Sequence, residues 1–93
     1  MTGPGGDELV QTAGIQLRAI DEETFLIDPD GGIHALNLVG AAIWRCFAEP
    51  SRPADVTELL QAAFPDADAA EVAKDVAGIL EQMLTDGLLR KAE

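Results

Sequence analysis

Gly32-Ile33-His34-Ala35-Leu36-Asn37-Leu38-Val39-Gly40-Ala41-Ala42-Ile43-Trp44 is the stretch whose reading decides the fold. It reads as a short strand, a one-residue cap and the first turns of a helix. Ile33 to Leu36 is too short for a helix and follows Asp30-Gly31-Gly32, a turn signal whose glycines allow positive φ. Asn37 is a favoured N-cap, because its side-chain oxygen accepts from a backbone N–H that the first helical turn leaves unpaired. From Leu38 onward nearly every residue is apolar or small, which predicts a helix enclosed by other elements. The chain before this stretch reads as sheet and the chain after it as helix.

Working back from Gly32, Thr24-Phe25-Leu26-Ile27-Asp28 is β-branched and aromatic, and Pro29-Asp30-Gly31-Gly32 turns it into Ile33–Leu36. Ile15-Gln16-Leu17-Arg18-Ala19-Ile20 alternates apolar with polar or small, the period of a half-buried strand. These three segments predict an antiparallel meander. Residues 1–13, with three glycines, a proline and two acids, read as a disordered tail, leaving 14–90 as the folded domain.

Working forward, the first helix is expected from Leu38 to Ala48, where Glu49-Pro50-Ser51-Arg52-Pro53 ends it. Pro53 suits the first turn of a second helix, from Ala54 to Phe64, with Val56, Leu59, Leu60 and Ala63 on one face. Asp68-Ala69-Ala70-Glu71 resembles a capping box, and Gly87 is placed to terminate the third helix after Asp86. On that helix Val72, Val76, Ile79 and Met83 form one stripe, with Ala73, Ala77, Leu80 and Leu84 beside it. Together they span about 160°, more than the roughly 100° a helix needs to rest on a core. The surplus either covers the other helices or lines an exposed groove. Leu88-Leu89 is expected to fold back onto the core, leaving Arg90 to Glu93 in solvent.

The 93 residues suit one domain, and 47% hydrophobic with 25% charged residues is ordinary for a globular chain. The net charge of −11 is not ordinary, and it opposes contact with nucleic acid or an anionic membrane. No apolar run approaches the roughly 20 residues of a membrane span, and the N-terminus has no signal-peptide pattern. With Cys46 as the sole cysteine, no internal disulfide forms, and a cytoplasmic location is the expectation.

No catalytic constellation emerges. His34 is the single histidine, on a strand beside a turn, and reads as solvent-facing or hydrogen-bonded. Cys46 reads as a small core hydrophobe and Trp44 as core. A metal site of Asp and Glu alone needs clustering that the sequence does not show; Asp28, Asp30 and Glu23 near the hairpin leave only weak Ca²⁺ binding as a remote alternative, and neither metal nor cofactor is expected.

Sheet segregated from helices makes the chain α+β, in the outline of a winged helix-turn-helix. That outline ordinarily suggests DNA, but from Asp55 to Asp86 the acids recur at Asp55, Glu58, Asp66, Asp68, Glu71, Asp75, Glu81 and Asp86 against Lys74 alone. Such a recognition helix repels phosphate.

Leu36-Asn37-x-x-Gly40-Ala41-x-Ile43-Trp44, then Asp68, Val72-Ala73-Lys74-Asp75-Val76 and Asp86-Gly87-Leu88-Leu89, resembles the PqqD family over residues 15–90. The resemblance implies a winged-helix-like module that binds the leader segment of a ribosomally made precursor peptide. It presents that leader to a separate enzyme such as a radical SAM protein, a protease or a cyclase. It further implies strand addition on Ile33, His34, Ala35 and Leu36, against a helix wall drawn from Val76, Ile79, Leu80 and Met83. The link Glu49-Pro50-Ser51-Arg52-Pro53 departs from the Asp-Gly and Arg-Thr usual in quinone-cofactor members. The resemblance therefore names no product, whether quinone cofactor, lasso peptide or another class. Two alternatives remain beside it, an acidic subunit that docks on an enzyme without binding peptide, and a DNA-binding winged helix. An exposed strand at Ile33–Leu36 could also pair with a second copy as a homodimer.

Overall fold

The computed structural model describes residues 8–92. In order these are β1 (Leu9–Gln11), β2 (Gln16–Ile20), β3 (Glu23–Ile27), β4 (Ile33–Leu36), α1 (Leu38–Cys46), α2 (Pro53–Ala63), α3 (Ala69–Thr85) and β5 (Leu89–Lys91). Strands β2, β3 and β4 form the expected antiparallel meander in that spatial order. The helices follow, giving the α+β, winged-helix-like architecture.

The turn signals act as their chemistry requires. Asn37 Oδ1 accepts from Gly40 N at 2.7 Å and opens α1. Pro53 takes the first position of α2, where no intrahelical donor is needed. Asp68 caps α3 by accepting from Ala70 N. At the far end Gly87 adopts φ +75°, Leu88 N donates to Met83 O at 2.8 Å and Gly87 N to Leu84 O at 3.2 Å. That pair of bonds is a Schellman closure, and the left-handed residue it needs favours glycine. It redirects the chain so that Leu88 and Leu89 enter the core, as the sequence predicts.

Two expectations are corrected. The predicted tail of 1–13 does not hold from Leu9 onward, where β1 pairs antiparallel with β5; residues 1–7 lie outside the described part. Leu9 is buried, exchanges bonds with Ser51 (2.8 and 3.0 Å), and Gln11 N donates to Phe47 O. Burial of Leu9 against the helices, with backbone pairing at both chain ends, outweighs the flexible composition around it. Arg90 and Lys91 accordingly belong to a strand, although both remain exposed. The second correction concerns α1, which is not enclosed throughout. Gly40, Ala41, Ile43 and Trp44 are buried, but Leu38, the first residue of the helix, is 85% exposed. Likewise α2 buries only Val56 and Leu60, and Leu59 faces outward.

Phe47, Leu26, Ile43, Leu88 and Val76 are the largest fully buried side chains. They place the core between the inner face of β3, α1 and α3. No helix among the described residues is long and apolar enough to cross a membrane.

Candidate functional site: a groove between β4 and α3

Strand β4 lies at the edge of its sheet, with β3 its one partner among the described residues. The register pairs Leu26 with His34 and Phe25 with Ala35. Asp28 N donates to Gly32 O, so the Asp28–Gly32 pair is of the hydrogen-bonded kind. Antiparallel ladders alternate. His34 and Leu36 therefore direct their backbone groups to β3, while Ile33 and Ala35 present N–H and C=O outward. An open edge of this kind is a template for another strand.

Side chains alternate as well. Ile33 is 68% exposed and Ala35 is exposed, whereas His34 and Leu36 are half-buried on the helix side. There they meet α3 across a hollow of about 190 Å³, walled by Leu36, Asn37, Ile79, Gln82, Met83 and Asp86. Ile79, Gln82 and Asp86 follow at helical spacing along one edge of α3.

The turn end of the groove is polar. Asp28 Oδ1 accepts from Asp30 N (2.9 Å) and Gly32 N (2.8 Å), and its Oδ2 lies 3.1 Å from His34 Nε2. An ionised carboxylate only accepts, so this contact assigns the ring proton to Nε2. The His34 hydrogen bond first, and the Gly32 amide second, hold the Asp28 carboxyl below its ordinary value of 3.8. Asp86 Oδ2 stands 3.8 Å from His34 Nδ1, too far for a hydrogen bond; Gln82 Nε2 donates instead to both Asp86 Oδ1 and Oδ2, each at 3.1 Å. Gly32 leaves room for this arrangement: a Cβ on it would displace the Asp28 carboxylate from the position these bonds hold. His34 is thus hydrogen-bonded, one of the two roles its sequence position allows. Among the described residues no three His, Cys, Asp or Glu side chains stand close enough to hold a metal ion.

Of the residues named from sequence, His34, Ala35 and Leu36 line the strand side of this groove, Ile33 belongs to the same edge strand but lies outside the hollow, and Ile79 and Met83 reach its helix side. Val76 and Leu80 do not line it; both belong to the core. Sequence reasoning missed Gln82 and Asp86. Their spacing from Ile79 was the available signal, hidden because both are polar and lie outside the apolar stripe. It also missed Asn37 as a groove wall, having given it only the capping role.

The sequence model of Coenzyme PQQ synthesis protein D (PqqD) matches residues 23–89. No curated protein sequence matches the chain. Solved structures share its fold. TbiB1, in complex with the TbiA(beta) leader peptide, aligns with TM-score 0.75 at 24% identity, over 90% of this chain and 98% of that one. A lasso peptide synthetase B1 complexed with the leader peptide aligns with TM-score 0.74 at 21% identity, over 89% and 98%. The PqqD truncation of Methylobacterium extorquens PqqCD, a stand-alone recognition element for ribosomally synthesised and modified peptides, aligns with TM-score 0.73 at 19% identity, over 96% and 95%. Because the family match spans more than half of the sequence and includes β3, β4 and all three helices, the chain belongs to the PqqD family.

Proposed function

We propose that this chain binds the leader segment of a ribosomally made precursor peptide as a strand added to β4, and holds it for a separate modifying enzyme. The observation that carries the reading is the open edge at Ile33 and Ala35, lying directly beside the α3 groove. Strand addition draws affinity from backbone groups, and pockets for alternate peptide side chains add selectivity. Peptide residues opposite His34 and Leu36 point to the groove, against Ile79 and Met83 at one end and Asp86 at the other. Two of the fold relatives were solved with leader peptides, which supports the same use here. The role is recognition, with the chemistry performed by the partner, of the radical SAM, protease or cyclase kind. A cytoplasmic setting, where precursors are made, fits that role.

An isotope-labelled NMR titration with the leader of a short precursor encoded beside this gene tests the reading. Saturable shifts confined to residues 33–36 and 79–86 are expected. Shifts absent with every neighbouring leader, while a neighbouring enzyme still binds, would replace it with the docking-subunit alternative.

A further inference from the structure

The groove continues past Asn37. His34 lies by Asp86 near the end of α3, whereas Asn37 and Val39 face Lys74, Asp75 and Ile79 further back, so β4 and α3 run in opposite directions. The hollow beside β4 shares Asn37 and Ile79 with a second one, and that shares Val39 and Asp75 with a third. The third is an apolar cleft of about 220 Å³ between α1, α2 and α3, walled by Val39, Leu60, Phe64, Val72 and Val76, with Asp75 on its rim. Phe64, which ends α2, is 47% exposed there. An apolar cavity of roughly 150 Å³ accepts a benzene ring. This one has room for a single aromatic or branched aliphatic side chain.

We propose that the cleft is a second subsite for the same peptide, taking one large apolar side chain from residues that continue beyond the segment paired with β4. The proposal rests on the peptide-recognition reading above. Continuity identifies the occupant: a chain leaving the β4 edge in the direction of Asn37 is led along α3 into the cleft by shared walls. Between Ile79 and Val72 the helix rises roughly 10 Å, which an extended chain covers in about three residues. The side chain that fills the cleft therefore lies about three residues beyond the one that packs on Ile79 beside Asn37. In antiparallel pairing it falls on the N-terminal side of the paired segment, because β4 itself runs toward the cleft.

Selection from a display library of random peptides of about twelve residues, on the immobilised full chain, tests this without a known ligand. It is run in parallel on Val72→Phe, which fills the cleft, and on Phe64→Lys, which makes its exposed rim polar and spares the core. NMR spectra confirm that each variant is folded. On the unmodified chain, enriched peptides should combine a β-prone segment with a large apolar residue about three positions from it. Those peptides should bind either variant about tenfold to hundredfold more weakly. Enriched peptides that lack the apolar residue, or that bind both variants undiminished, would overturn the second subsite and leave strand addition standing. Enrichment of no peptide at all would overturn peptide recognition itself, and this proposal with it.

Discussion

Replacing Ala35 with proline isolates the open edge from the rest of the fold. The Ala35 N–H faces outward in the β3–β4 register, so proline there removes a donor the sheet does not use. Ala35 is exposed and proline is tolerated on an edge strand whose N–H faces solvent. The melting temperature should stay within a few degrees of the parent. Binding should not survive as well. Ile33 and Ala35 together offer two donors and two acceptors to an added strand. Losing one donor forfeits a hydrogen bond worth about 0.5–1.5 kcal/mol, and the facing peptide carbonyl is left unpaired at a cost of about 1–3 kcal/mol. A net loss of about 1.5–4.5 kcal/mol is expected, or roughly tenfold to 2,000-fold in Kd. Leu36→Pro is the contrast, because the Leu36 N–H belongs to the ladder with Thr24 and its loss should destabilise the sheet itself. Fluorescence anisotropy with a labelled leader, beside thermal melts of both variants, reads the two effects separately. Unchanged affinity in Ala35→Pro, with the fold intact, would refute strand addition at this edge.

Further outcomes follow from the same geometry. Gly87→Ala meets no neighbouring atom but forces a side chain into the left-handed region at φ +75°, which should cost about 1–2 kcal/mol. Chemical denaturation measures that directly, and no loss would mean that the Schellman closure is dispensable. The depressed Asp28 carboxyl stabilises the folded state above its ordinary value of 3.8, and this contribution is lost as pH falls through the lower folded value. Stability measured against pH should therefore separate the parent from Asp28→Asn near neutrality and bring them together in strong acid; a gap that widens on acidification would reverse the sign. Leu26→Ala, at a fully buried position of β3, should cost about 2–5 kcal/mol by denaturant melt.

The parts of the fold legible in sequence were those with local chemistry. Asn37, Pro53, Asp68 and Gly87 each announce a boundary through a side chain or a φ angle, and the structure uses all four. Strands β1 and β5 carry no such signal. Three residues are too few to show a period, and each strand finds its partner at the opposite end of the chain. The site divided in the same way. The turn made Ile33–Leu36 visible as a strand, and the family resemblance alone pointed to it as the edge, whereas periodicity located the apolar arc of α3 without its orientation. That orientation is set by how α1 and β3 fill the core: Val76, Leu80 and Met83 turn inward, Met83 at the floor of the groove, and Ile79, Gln82 and Asp86 border it.

An edge left open for a peptide is equally open to a second copy, and the composition bears on which of the two occupies it. Strand β4 is four residues long and carries no lysine or proline to discourage pairing. The chain as a whole carries −11, so two copies repel as they approach, and a leader bearing lysine or arginine is attracted. That balance is set by ionic strength. At about 0.1 M salt the screening length is about 10 Å, and near 1 M it is about 3 Å, short enough to silence repulsion between whole domains. Sedimentation velocity should accordingly show a monomer in dilute buffer and a growing dimer fraction at high salt, absent in Ala35→Pro. A dimer that is strongest at low salt would show that charge is not what keeps the edge free.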